Sequence, residues 1–233
     1  MRLRSILAMT CVCLVAIGLL SCSDVPSTAP EFPDFRTMTR FINAASDVGD
    51  VEIILQPTVG ADFTSFGTVP FQENTPYMDI PAGNRIAAIR VGGATIDTTN
   101  FSLSSDGKIT VLVLPKASDM DSRFAVFIER RMFDPLPSAT GQVRFISAAL
   151  DTVNFAIVNT AADTVVASNL SLADKSGYLN FEAGSFTFGV TVSGADSVLG
   201  TVQVSVSNGQ RHTAIIFGDQ ANLGFKSFQD DPQ

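Results

Sequence analysis

The 233-residue chain predicts an all-β protein of two tandem antiparallel β-sandwich domains, and three observations carry that prediction. One phrase is written twice, "RFINAASD" from Arg40 to Asp47 and "RFISAALD" from Arg144 to Asp151, 104 residues apart. Apolar and polar residues alternate at period two in short runs. Glycine, asparagine, aspartate and proline punctuate those runs at turn-forming positions.

The duplication rests on more than the eight-residue echo. "YMDIPAG" (Tyr77 to Gly83) returns as "YLNFEAG" (Tyr178 to Gly184), offset by 101. "SSDGKITVLVL" returns as "SVSNGQRHTAIIF" when Gly107 is set on Gly209, offset by 102. On that alignment His212 corresponds to Thr110. Three landmarks in the same order at nearly constant offset describe a tandem copy with small loop insertions. A period near 100 is a domain, since solenoid units run ~20–50 residues. The expected layout is a signal peptide at 1–21, a tether at 22–35, domain 1 at 36–132, a linker at 133–140 around Pro135 and Pro137, and domain 2 at 141–229.

Within each copy the elements are strands. "GSFTFGVTV" sets Phe186, Phe188, Val190 and Val192 on one face, and "TVQVSV" does the same with Val202, Val204 and Val206. "DTVNFAIV" alternates through Val153, Phe155 and Ile157. Half-buried strands read this way because successive side chains point to opposite faces. "KITVLVL" and "TAIIF" are apolar at both parities, as a strand covered on both faces is. "GNRIAAIRV" (Gly83 to Val91), the nearest approach to a helical period, aligns with the strand at Phe186 and is read as a strand. Gly83 and Gly184 stand between strands where a left-handed φ is tolerated. Asp106-Gly107 and Asn208-Gly209 carry a hairpin signal. Each copy is expected to hold about seven strands in two sheets, an immunoglobulin-like arrangement.

The chain begins with two arginines, Arg2 and Arg4, followed by an uncharged apolar run from Ser5 to Leu20. That is the pattern of a secretory signal, and it is short for a span of ~20 residues. The run ends Leu19-Leu20-Ser21-Cys22, which resembles the bacterial lipobox and marks Cys22 as the lipidated first residue of the mature protein. "SDVPSTAPEFPDF" then reads as an extended tether. By analogy with Gram-negative lipoprotein sorting, Ser23 after Cys22 directs the protein to the outer membrane, either periplasmic or surface-facing. All three cysteines (Cys11, Cys13, Cys22) precede the folded part, so stability must come from core burial rather than disulfides.

Without the two arginines of the signal, 13 basic residues face 23 acidic ones, a net charge of −10. Nucleic acid is excluded as a partner, because its affinity rests on neutralising phosphates with Lys and Arg. His212 is the sole histidine, which argues against zinc and against acid–base chemistry built on imidazole. Ser185 has no G-x-S-x-G elbow around it, and Gly92-Gly93 has no helix behind it to cradle phosphate. Asp47, Asp50 and Glu52 crowd one turn, but the second copy keeps only Asp151 there. Asp119 and Asp121 alternate in "ASDMDS" and are weak calcium candidates; no Asp-x-Asn-x-Asp-Gly loop surrounds them. The 18 phenylalanines fill cores, while Tyr77 and Tyr178 occupy equivalent pre-turn positions and are read as structural.

The order strand, "AASD", "VEIIL", loop, "FGTV", "YMDIPAG", strand, strand resembles a bacterial exported domain known as domain of unknown function 4397. That pattern opens with an R-x-x-H-A-S-P-D-A-P phrase and later shows a Y-x-x-L-P-A-G turn. The matching positions are Arg40 to Asp47 and Tyr77 to Gly83, then Arg144 to Asp151 and Tyr178 to Gly184. Asn43 and Ser147 stand where the pattern has histidine. The resemblance implies a β-sandwich and a cell-envelope location, and no activity.

These readings converge on a non-catalytic, lipid-anchored envelope protein, without cofactor or resident metal, that binds, adheres or serves structurally. The alternative is a carbohydrate-binding module or an accessory subunit of an envelope complex. Its partners are the membrane, through the lipid on Cys22, and an envelope protein or glycan. Arg40 and Arg144 have no role in a plain strand, and each is expected to pair with a buried acid of its own domain. Radiolabelled palmitate should enter the wild-type chain and be lost from Cys22→Ala; label that survives the substitution removes the anchor.

Overall fold

A computed structural model describes residues 35–56, 61–105, 107–130, 136–151 and 153–230. Cys22, the signal, nearly all of the tether, Asp106 and part of the linker lie outside them. The described chain is all-β. The first copy contains β1 (Arg36–Asn43), β2 (Val51–Gln56), β3 (Thr64–Val69), β4 (Met78–Pro81), β5 (Gly83–Val91), β6 (Ala94–Leu103), β7 (Gly107–Val113) and β8 (Phe124–Arg130). The second contains β9 (Thr140–Ala149), β10 (Phe155–Asn159), β11 (Thr164–Leu170), β12 (Leu179–Glu182), β13 (Gly184–Val192), β14 (Val198–Val206), β15 (Arg211–Gly218) and β16 (Gly224–Gln229).

Each copy is therefore an eight-stranded sandwich rather than a seven-stranded one. The four-residue strands β4 and β12 run into the corner glycines Gly83 and Gly184, ending at Pro81 and Glu182. Each sandwich has an inner sheet, ordered β4-β1-β7-β8 or β12-β9-β15-β16, and an outer sheet, ordered β3-β2-β5-β6 or β11-β10-β13-β14. Most pairings are antiparallel, as expected, but β1–β7 and β9–β15 are parallel. Such a pair arises because the chain crosses to the outer sheet for β2 and β3, returns antiparallel to β1 as β4, crosses again for β5 and β6, and re-enters the inner sheet in the original direction as β7.

The same crossings correct the reading of the Gly turns. Asn208-Gly209 (Gly209 φ +74°) does not close a hairpin; it carries the chain from β14 in the outer sheet to β15 in the inner one. Gly83, at φ +111°, makes the corner between β4 and β5 in the same way. Gly92-Gly93, at φ +57° and +84°, closes a true hairpin between β5 and β6.

Period-two alternation places the cores. Phe41, Ile53, Leu55, Ile89, Ile109, Val111 and Val113 fill the first sandwich. Phe145, Phe155, Ile157, Phe188, Val190, Val204 and Ile216 fill the second. Residues of opposite parity on the inner strands form a third core between the sandwiches: Ile42, Leu112, Leu114, Phe127, Ile146, Ile215, Phe217 and Phe228. "KITVLVL" and "TAIIF" are thus covered on both faces, and the second cover is the other domain. The Phe217 ring lies 5.9 Å from Phe71 of the first sandwich and 6.4 Å from Phe228. Truncating it leaves a cavity between the two inner sheets. Phe217→Ala should cost about 3–5 kcal/mol of stability by urea titration; a loss below about 1 kcal/mol, the level of an ordinary substitution, would mean that this core does not hold the sandwiches together.

Candidate functional site

The repeated landmarks converge on two places along the joint between the sandwiches, one buried and one open.

The buried place is a charge cluster. Arg40 on β1 stands beside Thr110 on β7, and Arg144 on β9 beside Thr213 on β15, in the same parallel register. This register makes Thr213, not His212, the counterpart of Thr110; His212 falls opposite Val143, at the position of Ile109. The extra residue is Gln210, which the sequence alignment left ungapped. Arg40 Nε donates to Thr110 Oγ1 at 3.1 Å, and Arg144 Nε donates to Thr213 Oγ1 at 2.7 Å. The ring of Tyr77 lies 4.8 Å from the Arg40 guanidinium carbon, and that of Tyr178 lies 4.9 Å from the Arg144 carbon. Each domain thus contributes an Arg-Thr-Tyr triad in which hydrogen bonding and a cation–π contact hold the guanidinium.

Among the described residues, the carboxylate of Asp230 lies among these groups. Asp230, just beyond β16, is fully buried and ion-pairs with the Arg40 guanidinium. It also accepts hydrogen bonds from Thr213 Oγ1 and the Tyr178 hydroxyl, each at 2.8 Å. Its carbonyl oxygen accepts from Lys108 Nζ, and Arg40 Nη1 donates to the Gln229 carbonyl at 2.8 Å. The expected same-domain pairing is therefore corrected for Arg40, whose acid comes from the other copy. Desolvation acts to raise the Asp230 pKa, but the charges of Arg40 and Arg144 and the bonds from Thr213 and Tyr178 outweigh it and hold the group below the ordinary carboxylate range.

Sequence reasoning missed Asp230, placing the end of domain 2 at 229. A signal was present. Lys226, Phe228 and Asp230 share one parity, and all three meet the first sandwich: Lys226 Nζ lies 2.6 Å from Glu73, Phe228 sits in the shared core, and Asp230 pairs with Arg40.

The open place lies past the ends of the inner strands. Asp47 follows β1 and makes a two-point ion pair with Arg123, at 2.8 Å to each oxygen, while accepting the Lys116 amide at 3.4 Å. Asp151 follows β9 and accepts the Gln220 amide at 3.0 Å. Both repeat aspartates thus clamp the loop after their own β7 or β15. Partial burial works to raise the Asp47 pKa, but the hydrogen bond and charge of Arg123 and the Lys116 amide prevail and lower it. Asn43, at the histidine position of the family pattern, donates to the carbonyls of Gly49 at 2.7 Å and Val69 at 2.9 Å, and so ties the β1–β2 loop to the end of β3. Between these loops lies a cavity of about 420 Å³ lined from both domains, by Ser46, Asp47, Phe71 and Gln72 on one side and Leu150, Gly218, Asp219 and Asn222 on the other. Asp119 and Asp121 are exposed on the loop between β7 and β8, and no group of three or more metal-ligating acids, histidines or cysteines forms among the described residues.

A family model described as a domain of unknown function, DUF4397, matches residues 37–158 and again 141–233. The chain belongs to this family. The first DUF4397 match runs past its own sandwich into β9 and β10, so the two matches overlap across the joint. No curated protein matches the chain. Among solved structures, the Bacillus anthracis TIE protein is similar at 12% identity and a TM-score of 0.27, over 78% of this chain and 34% of that one. A leucine-rich repeat protein from Bacteroides thetaiotaomicron is similar at 10% identity and a TM-score of 0.22, over 79% and 26%. A fimbrial assembly protein from Parabacteroides distasonis is similar at 6% identity and a TM-score of 0.20, over 84% and 98%. The chain thus spans about a third and a quarter of the first two.

Removing the Asp230 charge leaves the Arg40 guanidinium buried without the carboxylate it is paired with. Asp230→Asn should therefore destabilise the protein by about 3–5 kcal/mol. A depressed carboxylate pKa gives stability that is full above the unfolded value of about 4 and is lost as pH falls through the folded value. The wild-type melting temperature should drop on acidification below about pH 4, and Asp230→Asn should show a shallower drop. Equal acid sensitivity of the two proteins in calorimetric scans would show that the cluster does not bind its anion as described.

Proposed function

We propose that this DUF4397 protein is a non-catalytic lipoprotein of the outer membrane, anchored through Cys22, whose two fused sandwiches form a rigid binding or adhesive body. The observation that carries this reading is the internal use of the residues the repeat preserves. The repeated Arg40 and Arg144 are 1% and 2% exposed, and Asp230, which joins them, is 0% exposed, all beyond the reach of a substrate. Tyr77 and Tyr178 pack on those arginines, while Asp47 and Asp151 hold loops. The polar residues that the duplication kept thus organise the fold. The rims and outer sheets, where the copies differ, are left for contact with a partner.

Rigidity suits that role. An apolar core and the cross-domain pairs Arg40–Asp230 and Lys226–Glu73 join the sandwiches, so a partner meets one preformed surface and little ordering entropy is lost on binding. A tether rich in proline would carry this body off the bilayer. The chain is acidic, so attachment falls to the lipid, and stable anchoring takes more than one acyl chain.

Two measurements test the reading. Density fractionation should place the full chain with outer membranes and shift Cys22→Ala to the soluble fraction. Cross-linking in intact envelopes followed by capture of the full chain should enrich the same envelope protein or glycan in replicate preparations. Absence of any enriched component would end the binding reading, and co-sedimentation of Cys22→Ala with membranes would end the anchoring one.

A further inference from the structure

The cavity past the inner strands has features that the loop clamps do not require. Because β1 pairs with β7 and β9 with β15 in parallel, the loops after the two strands of each pair emerge at the same end of their sheet. Side chains from both copies therefore line one hollow of about 420 Å³, within the ~300–1,000 Å³ range of small-ligand sites.

Its polar groups are available. The side chains of Ser46, Gln72 and Asn222 make no hydrogen bond to the protein among the described residues. Two primary amides and a hydroxyl together present donors and acceptors in one place. Close approaches shape the turns around them. A Cβ at Gly218 (φ +87°) would run into the Asn222 carbonyl, and one at Gly224 would run into the Gln72 amide. Gln72 itself sits at φ +64°.

Charge narrows the ligand. Asp47 is neutralised by Arg123, and one oxygen of Asp219 accepts the amides of Ala221 and Asn222, so the lining is a poor cation chelator. The Asp219 carboxylate in a protein of this acidity disfavours anions. The remaining wall is apolar: Phe71, its ring held edge-on by Phe217, and Leu150, which is 36% exposed. Amides and a hydroxyl beside an apolar wall match the hydroxyls and the C–H face of a sugar ring.

The copies also diverge here. Gln72 and Ala173 occupy the same left-handed turn, at φ +64° and +68°, with amides bonded to the equivalent carbonyls of Asn43 and Ser147. Phe71 and Gln72 thus correspond to Leu172 and Ala173, and Ser46 to Leu150. The duplicated scaffold keeps the turn and changes its chemistry on the side that faces the hollow.

We propose that this cavity binds a neutral saccharide, with Ser46, Gln72 and Asn222 bonding its hydroxyls and Phe71 and Leu150 against its apolar face. The inference rests on the binding reading above and is independent of the lipid anchor. Full-length protein, held in a detergent without a sugar headgroup, is titrated with glucose, galactose, mannose, N-acetylglucosamine and their β-linked disaccharides. Glucuronic acid and glucosamine serve as charged counterparts. At least one neutral sugar should bind saturably, tighter than its charged counterpart and unchanged by EDTA. Gln72→Ala and Asn222→Ala should each weaken that binding about tenfold with melting unaltered. No binding across the panel, preference for a charged sugar, loss with EDTA, or affinity indifferent to both substitutions would each overturn the proposal. Envelope capture that still enriches a protein partner would then leave the broader binding reading standing.

Discussion

A sheet that is apolar on both faces must be covered on both, and the two inner sheets of this protein are of that kind. Phe41, Ile109 and Val111 point into one sandwich while Ile42 and Leu112 point out of it; Phe145 and Ile216 point into the other while Ile146, Ile215 and Phe217 point out. Each outward face is satisfied only by the other copy. Neither sandwich is closed alone, and the outer sheets can be half-solvated because the inner ones are not. Tandem duplication is a direct route to such a pairing, since it supplies two similar faces from one chain.

Burying that joint also buries charge. Two guanidiniums from equivalent positions approach it, and isolated buried charges are costly. Asp230 meets the cost for Arg40, its carboxylate bonded by Arg40, Thr213 and Tyr178. The cluster lends the joint a geometric requirement that an apolar core lacks, since the pair forms only where β16 lies against the first sandwich. The same alternation along β16 sets Lys226 opposite Glu73. Specific register and apolar cover thus act on the same few strands, and the rim loops inherit their positions from them.

Much of this was legible from local pattern. The strands at Phe186, Val202 and Phe155 follow their alternation, and the both-parity strands are the inner ones. The turn signals were harder to read. Asn208-Gly209 is a turn, yet it joins sheets instead of closing a hairpin, because its residues fix a local bend and not the strand that the chain pairs with next. The one-residue slip at His212 has the same origin: an inserted Gln210 is invisible to an alignment anchored on Gly209 and obvious in the register with β9.

The sequence by itself determined the strand content, the duplication and the need for double cover of two strands, because period and parity are encoded residue by residue. It also marked Arg40 and Arg144 as residues that a plain strand does not explain. Tertiary structure alone decided that the cover is the sister domain and that the partner of Arg40 is Asp230, 190 residues away. It also decided that Ser46, Gln72 and Asn222 share one hollow. Those outcomes depend on which faces meet across the fold, a long-range choice that no short window of sequence contains.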